Sequence, residues 1–169
     1  MDINASDIYS FYQTKLGGIV KRTIRQKIMS YLSEFETNII FGYGYTSPYL
    51  SFINKHNESS QVKELRPDFL DGAVQEKYDF EEKIIHEYFI PLEPSTVDVV
   101  ISSHLLEFVE KPISSIEEIW RILKPNGYFI AILPRRSGLW SRYDNNPFGY
   151  GRSYSSKQFQ KLIEDFFVL

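Results

Sequence analysis

The sequence predicts an α/β fold with a mostly parallel sheet and helices on both of its faces. Short apolar runs, typical of buried strands, alternate along the 169-residue chain with segments of helical periodicity. The spacing between the apolar runs suits strand–helix–strand units, which build parallel sheets. A glycine turn, FGYG, ends the first apolar run, and loops of this kind bind ligands at the carboxyl ends of parallel strands.

The first half of the chain is predicted to contain two helices and two strands. Leu16 to Ser33 is a helix, because its apolar residues recur at helical spacing among lysines and arginines. TNIIFGYG is a short buried strand that runs into the glycine turn. SPYLSFINK is a helix with Ser47 as its N-cap and Pro48 at the first helical position. SQVKEL is the second strand.

The second half of the chain continues the alternation. Lys83 to His86 and Val97 to Ile101 are strands, and PISSIEEIWRIL is an amphipathic helix that stops at KPNG. YFIAILP is a buried strand, Pro134 to Tyr154 is a long loop, and SSKQFQKLIEDF is the last helix. FFVL is predicted to begin a further strand. The aromatic residues expected in the core are Phe108, Trp120, Tyr128 and Phe129.

Composition limits the classes of function. The chain has 43% hydrophobic and 24% charged residues and a formal net charge of −3, typical of one globular domain without general affinity for nucleic acid or anionic membranes. The absence of cysteine excludes disulfides, thiolate zinc sites and a cysteine nucleophile, and it suits the reducing cytoplasm. Three scattered histidines do not make a metal site. No apolar run approaches the ~18 residues of a membrane span.

The glycine turn has two interpretations from the residues alone. Gly42 and Gly44 allow positive φ or a close approach of the backbone to a ligand, and the next helix directs its N-terminus at the same spot, which suits a carboxylate or phosphate. A strand-to-helix turn without a ligand is the alternative. No Gly-Lys-Ser/Thr follows, which excludes a P-loop, and the third glycine of a dinucleotide site is missing. Glu64 stands where a ribose-binding acid could lie, or it is a solvated surface carboxylate.

Three longer segments carry a resemblance to a known family. They are IIFGYGYTSPYL, IIHEYFIPLEPSTVDVVISSHLLEFVEKP and IEEIWRILKPNGYFIAILP. In this order the chain resembles the class I S-adenosylmethionine-dependent methyltransferases, specifically the methyltransferase-domain group, and PRRSGLWSRYDNNPFGYGRSYS resembles a bacterial subgroup of it. The resemblance implies a Rossmann-like single domain over residues 1–169. Residues 1–35 would form a helical cap, 36–133 the cofactor-binding core, and 134–169 a substrate-side loop, the last helix and an unfinished strand.

The resemblance also implies site residues for S-adenosylmethionine and for a small-molecule acceptor. Gly42 and Gly44 would pass under the methionine part of the cofactor, and His104 would be the catalytic base if the acceptor arrives protonated. His104 could instead begin a helix and bond Glu107. The other cofactor contacts implied are Tyr12, Tyr45, Glu64, Glu87, Tyr88 and Ser102.

The loop after the predicted fifth strand is a candidate for the acceptor site. Its arginines and interleaved aromatic residues suit an anionic or aromatic substrate, and a surface loop is the alternative. The residues expected to bind the substrate are Arg135, Arg136, Trp140 and Arg152.

Two departures from the family pattern keep a second function open. The acid that usually ends the second strand is replaced by Arg66 and Pro67, and the antiparallel strands that usually finish the sheet are missing or incomplete. An uncovered fifth strand would expose its edge, so we expect a dimer mate or another partner to cover it, or a truncated product with impaired activity. The chain is therefore predicted to be either a methyltransferase or a non-catalytic remnant that serves as a binding module.

Overall fold

A computed structural model describes residues 5–57, 59–70, 79, 81–86, 88–134 and 151–168. The described part contains five α-helices and five strands, with a short 3-10 turn after the second strand. The helices are α1 (Ala5–Gln13), α2 (Lys15–Leu32), α3 (Ser47–His56), α4 (Pro112–Ile122) and α5 (Ser156–Ile163), and the strands are β1 (Ile39–Gly44), β2 (Gln61–Pro67), β3 (Glu81–Ile85), β4 (Val97–Ser103) and β5 (Leu123–Ile132).

The five strands form one parallel sheet in the order β3-β2-β1-β4-β5. The predicted Rossmann-like α/β class is confirmed, and the described residues contain no antiparallel strand. Because β1 and β4 are neighbours that lead to opposite sides of the strand order, their carboxyl ends form the switch point at which such sheets bind ligands.

Two apolar clusters cover the two faces of the sheet. One joins the sheet to α4 and α5, and includes Val100, Ile116 and Ile163. The other joins it to α1, α2 and α3, and includes Ile8, Ile28 and Leu50. Since the second cluster contains the N-terminal helix, α1 is held against the sheet close to the switch point.

Helix α1 lies within the helical cap that the resemblance implied over residues 1–35, but it was not predicted as a separate element, although its sequence carries a signal. Ala5, Ile8 and Tyr12 are its buried residues, and their spacing of three and four places them on one face. A turn at Thr14, whose hydroxyl accepts the N–H of Gly17, separates α1 from α2. The chain therefore folds α1 back against the sheet as a separate short helix.

Several predictions of burial and of element ends were wrong. Leu16, Ile19 and Tyr31 of α2 are more than half exposed, as is Trp120 of α4, and Tyr128 is 41% exposed. Periodicity fixes the apolar face of a helix but does not supply a neighbour to cover it. The N-cap of α3 is Thr46, so Ser47 is the first helical residue. Residues 166–168 form no strand, contrary to the expectation for FFVL.

Strand β5 lies at one edge of the sheet. Within the described chain it pairs with β4 alone, through a register that shifts between Val97 and Val99. The KPNG segment forms the extra length of this shift, and Asn126 there has a φ of 64°. Beside this edge, residues of α4, β5 and the chain after α5 line a groove of about 830 Å³. Among the described residues no strand pairs with the outer edge of β5, and whether that edge is open stays a prediction.

Across the described ranges, no helix is both long and apolar enough to cross a membrane.

Candidate functional site

The carboxyl ends of β1 and β4 meet directly. Gly44 pairs in register with Ser103, and the N–H of Tyr45 donates to the carbonyl of Ser103 at 2.9 Å. Parallel pairing therefore brings the glycine turn against the carboxyl end of β4, where Ser102 and Ser103 lie.

Gly44 is required at its position by the backbone. Its φ is +104°, and a Cβ atom there would lie 2.3 Å from the carbonyl oxygen of Ser103. A side chain would thus be strained by conformation and by contact, because L-residues rarely adopt this φ. The predicted close approach of backbone at Gly44 is to β4 of the same chain.

Gly42 has a different reason to be glycine. A Cβ atom at Gly42 would lie 1.9 Å from Oγ1 of Thr46 and 2.5 Å from Cδ1 of Leu50, inside the first turn of α3. Gly42 therefore allows α3 to pack closely on β1, a role that the third glycine serves in a dinucleotide loop.

The turn after β1 is fastened by Glu64 of β2. Its Oε1 accepts the backbone N–H of Thr46 at 2.6 Å and the Thr46 hydroxyl at 2.8 Å, and its Oε2 accepts the Ser47 hydroxyl at 2.6 Å. Glu64 is 0% exposed. The interpretation of Glu64 as a solvated surface carboxylate is therefore wrong, whereas its contact with a ribose stays a prediction.

Arg66 neutralises the Glu64 carboxylate. Its Nη2 lies 2.7 Å from Oε2 of Glu64 and 3.0 Å from Oε2 of Glu82, and its guanidinium lies over the Tyr45 ring, 5.0 Å from the ring centre. Burial disfavours the charged guanidinium, but the charges of Glu64 and Glu82 outweigh it and raise the pKa of Arg66. Arg66, which stands where an acid was expected at the end of β2, thus helps Glu64 to hold the turn in place.

This network changes the expected chemistry of the α3 N-terminus. The sequence predicted that the free N–H groups of α3 would suit a ligand carboxylate or phosphate. In the structure the N-terminus already holds an internal anion, because Glu64 accepts the N–H of Thr46. The signal was present in the spacing of Glu64 and Arg66, since residues two apart on a strand share one face.

A second network lies on the other side of the turn and joins three elements. The hydroxyl of Tyr12 in α1 lies 2.5 Å from that of Tyr49 in α3 and 2.8 Å from Nε2 of His104, which directly follows β4. Nδ1 of His104 lies 3.2 Å from Oε1 of Glu107. The predicted Tyr12 and His104 are thus brought into contact, and the predicted bond between His104 and Glu107 is present. Tyr49 was missed, because only the packing of α1 on α3 reveals it.

The other predicted residues lie around these networks. Oγ of Ser102 is buried and has no hydrogen-bond partner in the described part of the chain. The hydroxyl of Tyr88 accepts the N–H of Lys111 at 3.1 Å, which ties it to the start of α4. Arg152 donates its backbone N–H to the carbonyl of Glu107 at 2.7 Å and Nη1 to that of Glu110 at 3.0 Å. Glu87, Arg135, Arg136 and Trp140 lie outside the described residues.

Comparison with known proteins agrees with this geometry. The family model described as "Methyltransferase domain" matches residues 39–131, which is more than half of the chain and spans β1 to nearly the end of β5. The chain belongs to this family. The resemblance inferred from the sequence motifs is therefore confirmed, and the cofactor of the family is S-adenosylmethionine. No curated protein matches the chain.

Solved structures of methyltransferases share the fold of this family member. An S-adenosylmethionine-dependent methyltransferase from Thermotoga maritima has a TM-score of 0.70 at 17% identity, over 95% of this chain and 75% of that one. A methyltransferase from Aquifex aeolicus has a TM-score of 0.64 at 21% identity, over 83% and 77%. Geranyl diphosphate C-methyltransferase from Streptomyces coelicolor, solved with S-adenosylhomocysteine, has a TM-score of 0.63 at 14% identity, over 86% and 58%.

The residues at the switch point fit the cofactor of the family. The hydroxyl of Ser102, which has no partner among the described residues, offers a buried hydrogen-bonding group at the carboxyl end of β4. The backbone of the turn lies at the same edge, where Gly44 pairs in register with Ser103. Tyr12 adds an aromatic ring beside His104, with ring centres 5.7 Å apart, and aromatic faces attract cations such as a sulfonium.

Proposed function

We propose that the chain transfers a methyl group from S-adenosylmethionine to a small-molecule acceptor at the carboxyl ends of β1 and β4. The match of the methyltransferase-domain family over residues 39–131 is the observation that carries the proposal. S-adenosylmethionine supplies the methyl group on an electrophilic sulfonium, so the work of the protein is mainly positioning. The absence of cysteine supports a cytoplasmic location.

The residues proposed to hold the cofactor surround the turn after β1. The described Ser102 is well suited to a direct contact, since its buried hydroxyl lacks a partner in the described chain. Glu64 would act through the turn that it fastens. The full proposed set is Tyr12, Gly42, Gly44, Tyr45, Glu64, Glu87, Tyr88 and Ser102.

The experiment that tests the proposal is calorimetric titration of the chain with S-adenosylmethionine and with its demethylated product. We expect a dissociation constant in the micromolar range, which corresponds to roughly 8 kcal/mol. Ser102→Ala should weaken binding several-fold. Ser115→Ala is a matched control, because Ser115 is also a buried serine with an unpartnered hydroxyl among the described residues, but it lies in α4.

Two results would contradict the proposal. Equal loss of S-adenosylmethionine binding in the Ser102 and Ser115 variants would show that the loss comes from disturbed packing and not from a contact between Ser102 and the cofactor. No binding heat from a chain that melts cooperatively would favour the alternative function, a non-catalytic module that keeps the sheet.

The acceptor is proposed to be anionic or aromatic and to bind at Arg135, Arg136, Trp140 and Arg152. Its support is the clustering of arginine and aromatic residues in the sequence, and the bonds that place Arg152 beside the segment after β4. The double variant Arg135→Ala/Arg136→Ala should raise the KM for the acceptor and leave cofactor binding unchanged. Loss of cofactor binding instead would refute this assignment.

We also propose that a second copy of the chain covers the open edge of β5. Edge strands expose unpaired N–H and C=O groups that pair readily with another strand. The exposed aromatic residues Trp120 and Tyr128 lie beside this edge. Sedimentation should detect a dimer, and Tyr128→Lys should weaken it; a wild-type monomer at high concentration would refute the proposal.

A further inference from the structure

The hydrogen bonds around His104 form one continuous chain of four groups. Tyr49, Tyr12, His104 and Glu107 follow one another at 2.5, 2.8 and 3.2 Å. All four side chains are buried, and they come from α3, α1 and the segment after β4. Side chains so far apart in sequence meet here because the sheet and α1 converge at the switch point.

The donors and acceptors in this chain can be assigned in one direction. A carboxylate only accepts, so in a neutral His104 ring Nδ1 carries the proton and donates to Glu107, and Nε2 accepts. The Tyr12 hydroxyl then donates to Nε2, and its oxygen accepts from Tyr49. Burial, reinforced by Tyr49, raises the pKa of Tyr12 well above its usual value, and burial raises the pKa of Tyr49 to about 12. Both phenols therefore keep their protons at neutral pH.

Two further features distinguish the surroundings of His104. Its backbone has a φ of 53°, an uncommon conformation that non-glycine residues adopt mainly at functional or strained positions. Oε2 of Glu107 is buried and has no partner among the described residues, so carboxylate charge remains beside the ring.

We propose that Tyr12, His104 and Glu107 form a proton relay, and that Tyr12 is the group that removes a proton from the methyl acceptor. This inference rests on the proposed function. The acceptor proton moves to the Tyr12 oxygen while the Tyr12 proton moves to Nε2 of His104. The lone pair freed on the acceptor forms the new bond to the methyl carbon as the carbon–sulfur bond breaks. The products are the methylated acceptor, a neutral thioether and a His104 imidazolium paired with Glu107.

The relay assigns a chemical class to the acceptor and roles to the residues. The acceptor carries an exchangeable proton on nitrogen or oxygen, because an acceptor with no such proton needs no base. Tyr12 is the catalytic residue, His104 receives the proton through it, and Glu107 and Tyr49 are positioning residues. The role of His104 thus differs from direct contact with the acceptor.

Nuclear magnetic resonance of the full chain labelled with ¹⁵N-histidine tests the relay without any ligand. Nδ1 of His104 should carry the proton, and the Nε2 signal should be shifted by the hydrogen bond from Tyr12. Tyr12→Phe should move that signal toward the value of a free ring nitrogen. Tyr9→Phe, a change on the same helix, should leave it in place. The His104 signal is assigned by its loss in His104→Gln.

The outcomes separate the relay from the function on which it rests. An Nε2–H tautomer, or a Tyr12→Phe spectrum equal to that of the wild type, would overturn the relay even if S-adenosylmethionine binds in calorimetry. Conversely, the expected tautomer in a chain that does not bind S-adenosylmethionine would refute the proposed function and leave the hydrogen-bond order standing. If His104→Gln fails to fold, His56→Gln and His86→Gln assign the signals of the other two histidines of the chain, and the remaining signal belongs to His104.

Discussion

Replacement of Glu64 by glutamine is expected to destabilise the chain by about 3 kcal/mol. The change removes the charge with almost no change of volume, and it leaves the buried Arg66 guanidinium without its nearest carboxylate, 2.7 Å away. Breaking a buried pair in this way costs about 3–5 kcal/mol. We expect the lower end of this range because Glu82, 3.0 Å from Arg66, retains part of the compensation.

The same two strands offer a matched control. Lys63 and Glu81 also pair between β2 and β3 at 2.7 Å, but their side chains are 37% and 61% exposed. Exposed pairs contribute little, because water and salt screen both charges. Glu81→Gln should therefore leave stability unchanged, although the distance broken is the same as in the Glu64 variant.

A double variant distinguishes the lost attraction between Glu64 and Arg66 from the cost of leaving the Arg66 charge buried without its partner. Glu64→Gln with Arg66→Met removes both buried charges, and such replacements are often neutral. It should recover most of the stability that the single change loses. Urea unfolding at pH 7, followed by circular dichroism, gives these differences directly. Equal midpoints for Glu64→Gln and Glu81→Gln, or a double variant less stable than Glu64→Gln, would refute the reasoning.

Two further predictions concern a glycine pair and an ion pair. Gly44→Ala should lower the free energy of unfolding by at least about 2 kcal/mol, because the φ of +104° is combined with a contact of 2.3 Å to Ser103. Gly18→Ala, in α2 with open space around it, should raise that free energy by about 1 kcal/mol. Thermal melts in which both variants move the same way would contradict this. The hydrogen bond that Arg121 donates lowers the pKa of Glu118; partial burial opposes this effect and the Ile90 N–H adds to it. The contacts of the Glu118 carboxylate therefore stabilise the fold above the unfolded pKa of about 4.3. This stabilisation is lost as pH falls through the lower folded pKa. The melting temperature of Glu118→Gln should lie below that of the wild type at pH 7, and the difference should shrink as pH falls below the unfolded pKa of Glu118. A difference that stays constant with pH would contradict this account.

The sheet was predictable because its signal is local. β1 and β4 contain short apolar runs bounded by turn residues, and parallel pairing follows from the helical segments between the strands. The contact of the glycine turn with β4 follows from the same rule. The bond between His104 and Glu107 was also accessible, since it joins residues three apart.

The two networks were not predictable because each depends on register or on tertiary packing. Glu64 and Arg66 share one face of β2, but only the pairing of Gly42 with Glu64 places that face under the turn. Tyr12 reaches His104 only because α1 folds back on the sheet. The prediction that Trp120 and Tyr128 are buried failed for a related reason. An aromatic residue beside an edge strand has the same local sequence pattern as one in the core.

The bond from Thr46 to Glu64 has a consequence for the order in which this turn forms and a ligand binds. Because the carboxylate that fixes the amide belongs to the protein, the turn reaches its final shape when the chain folds. Its conformational entropy is then lost on folding, and a ligand that arrives later does not have to order it. The Thr46 amide should accordingly exchange its hydrogen with solvent as slowly as the core strands do, with or without S-adenosylmethionine.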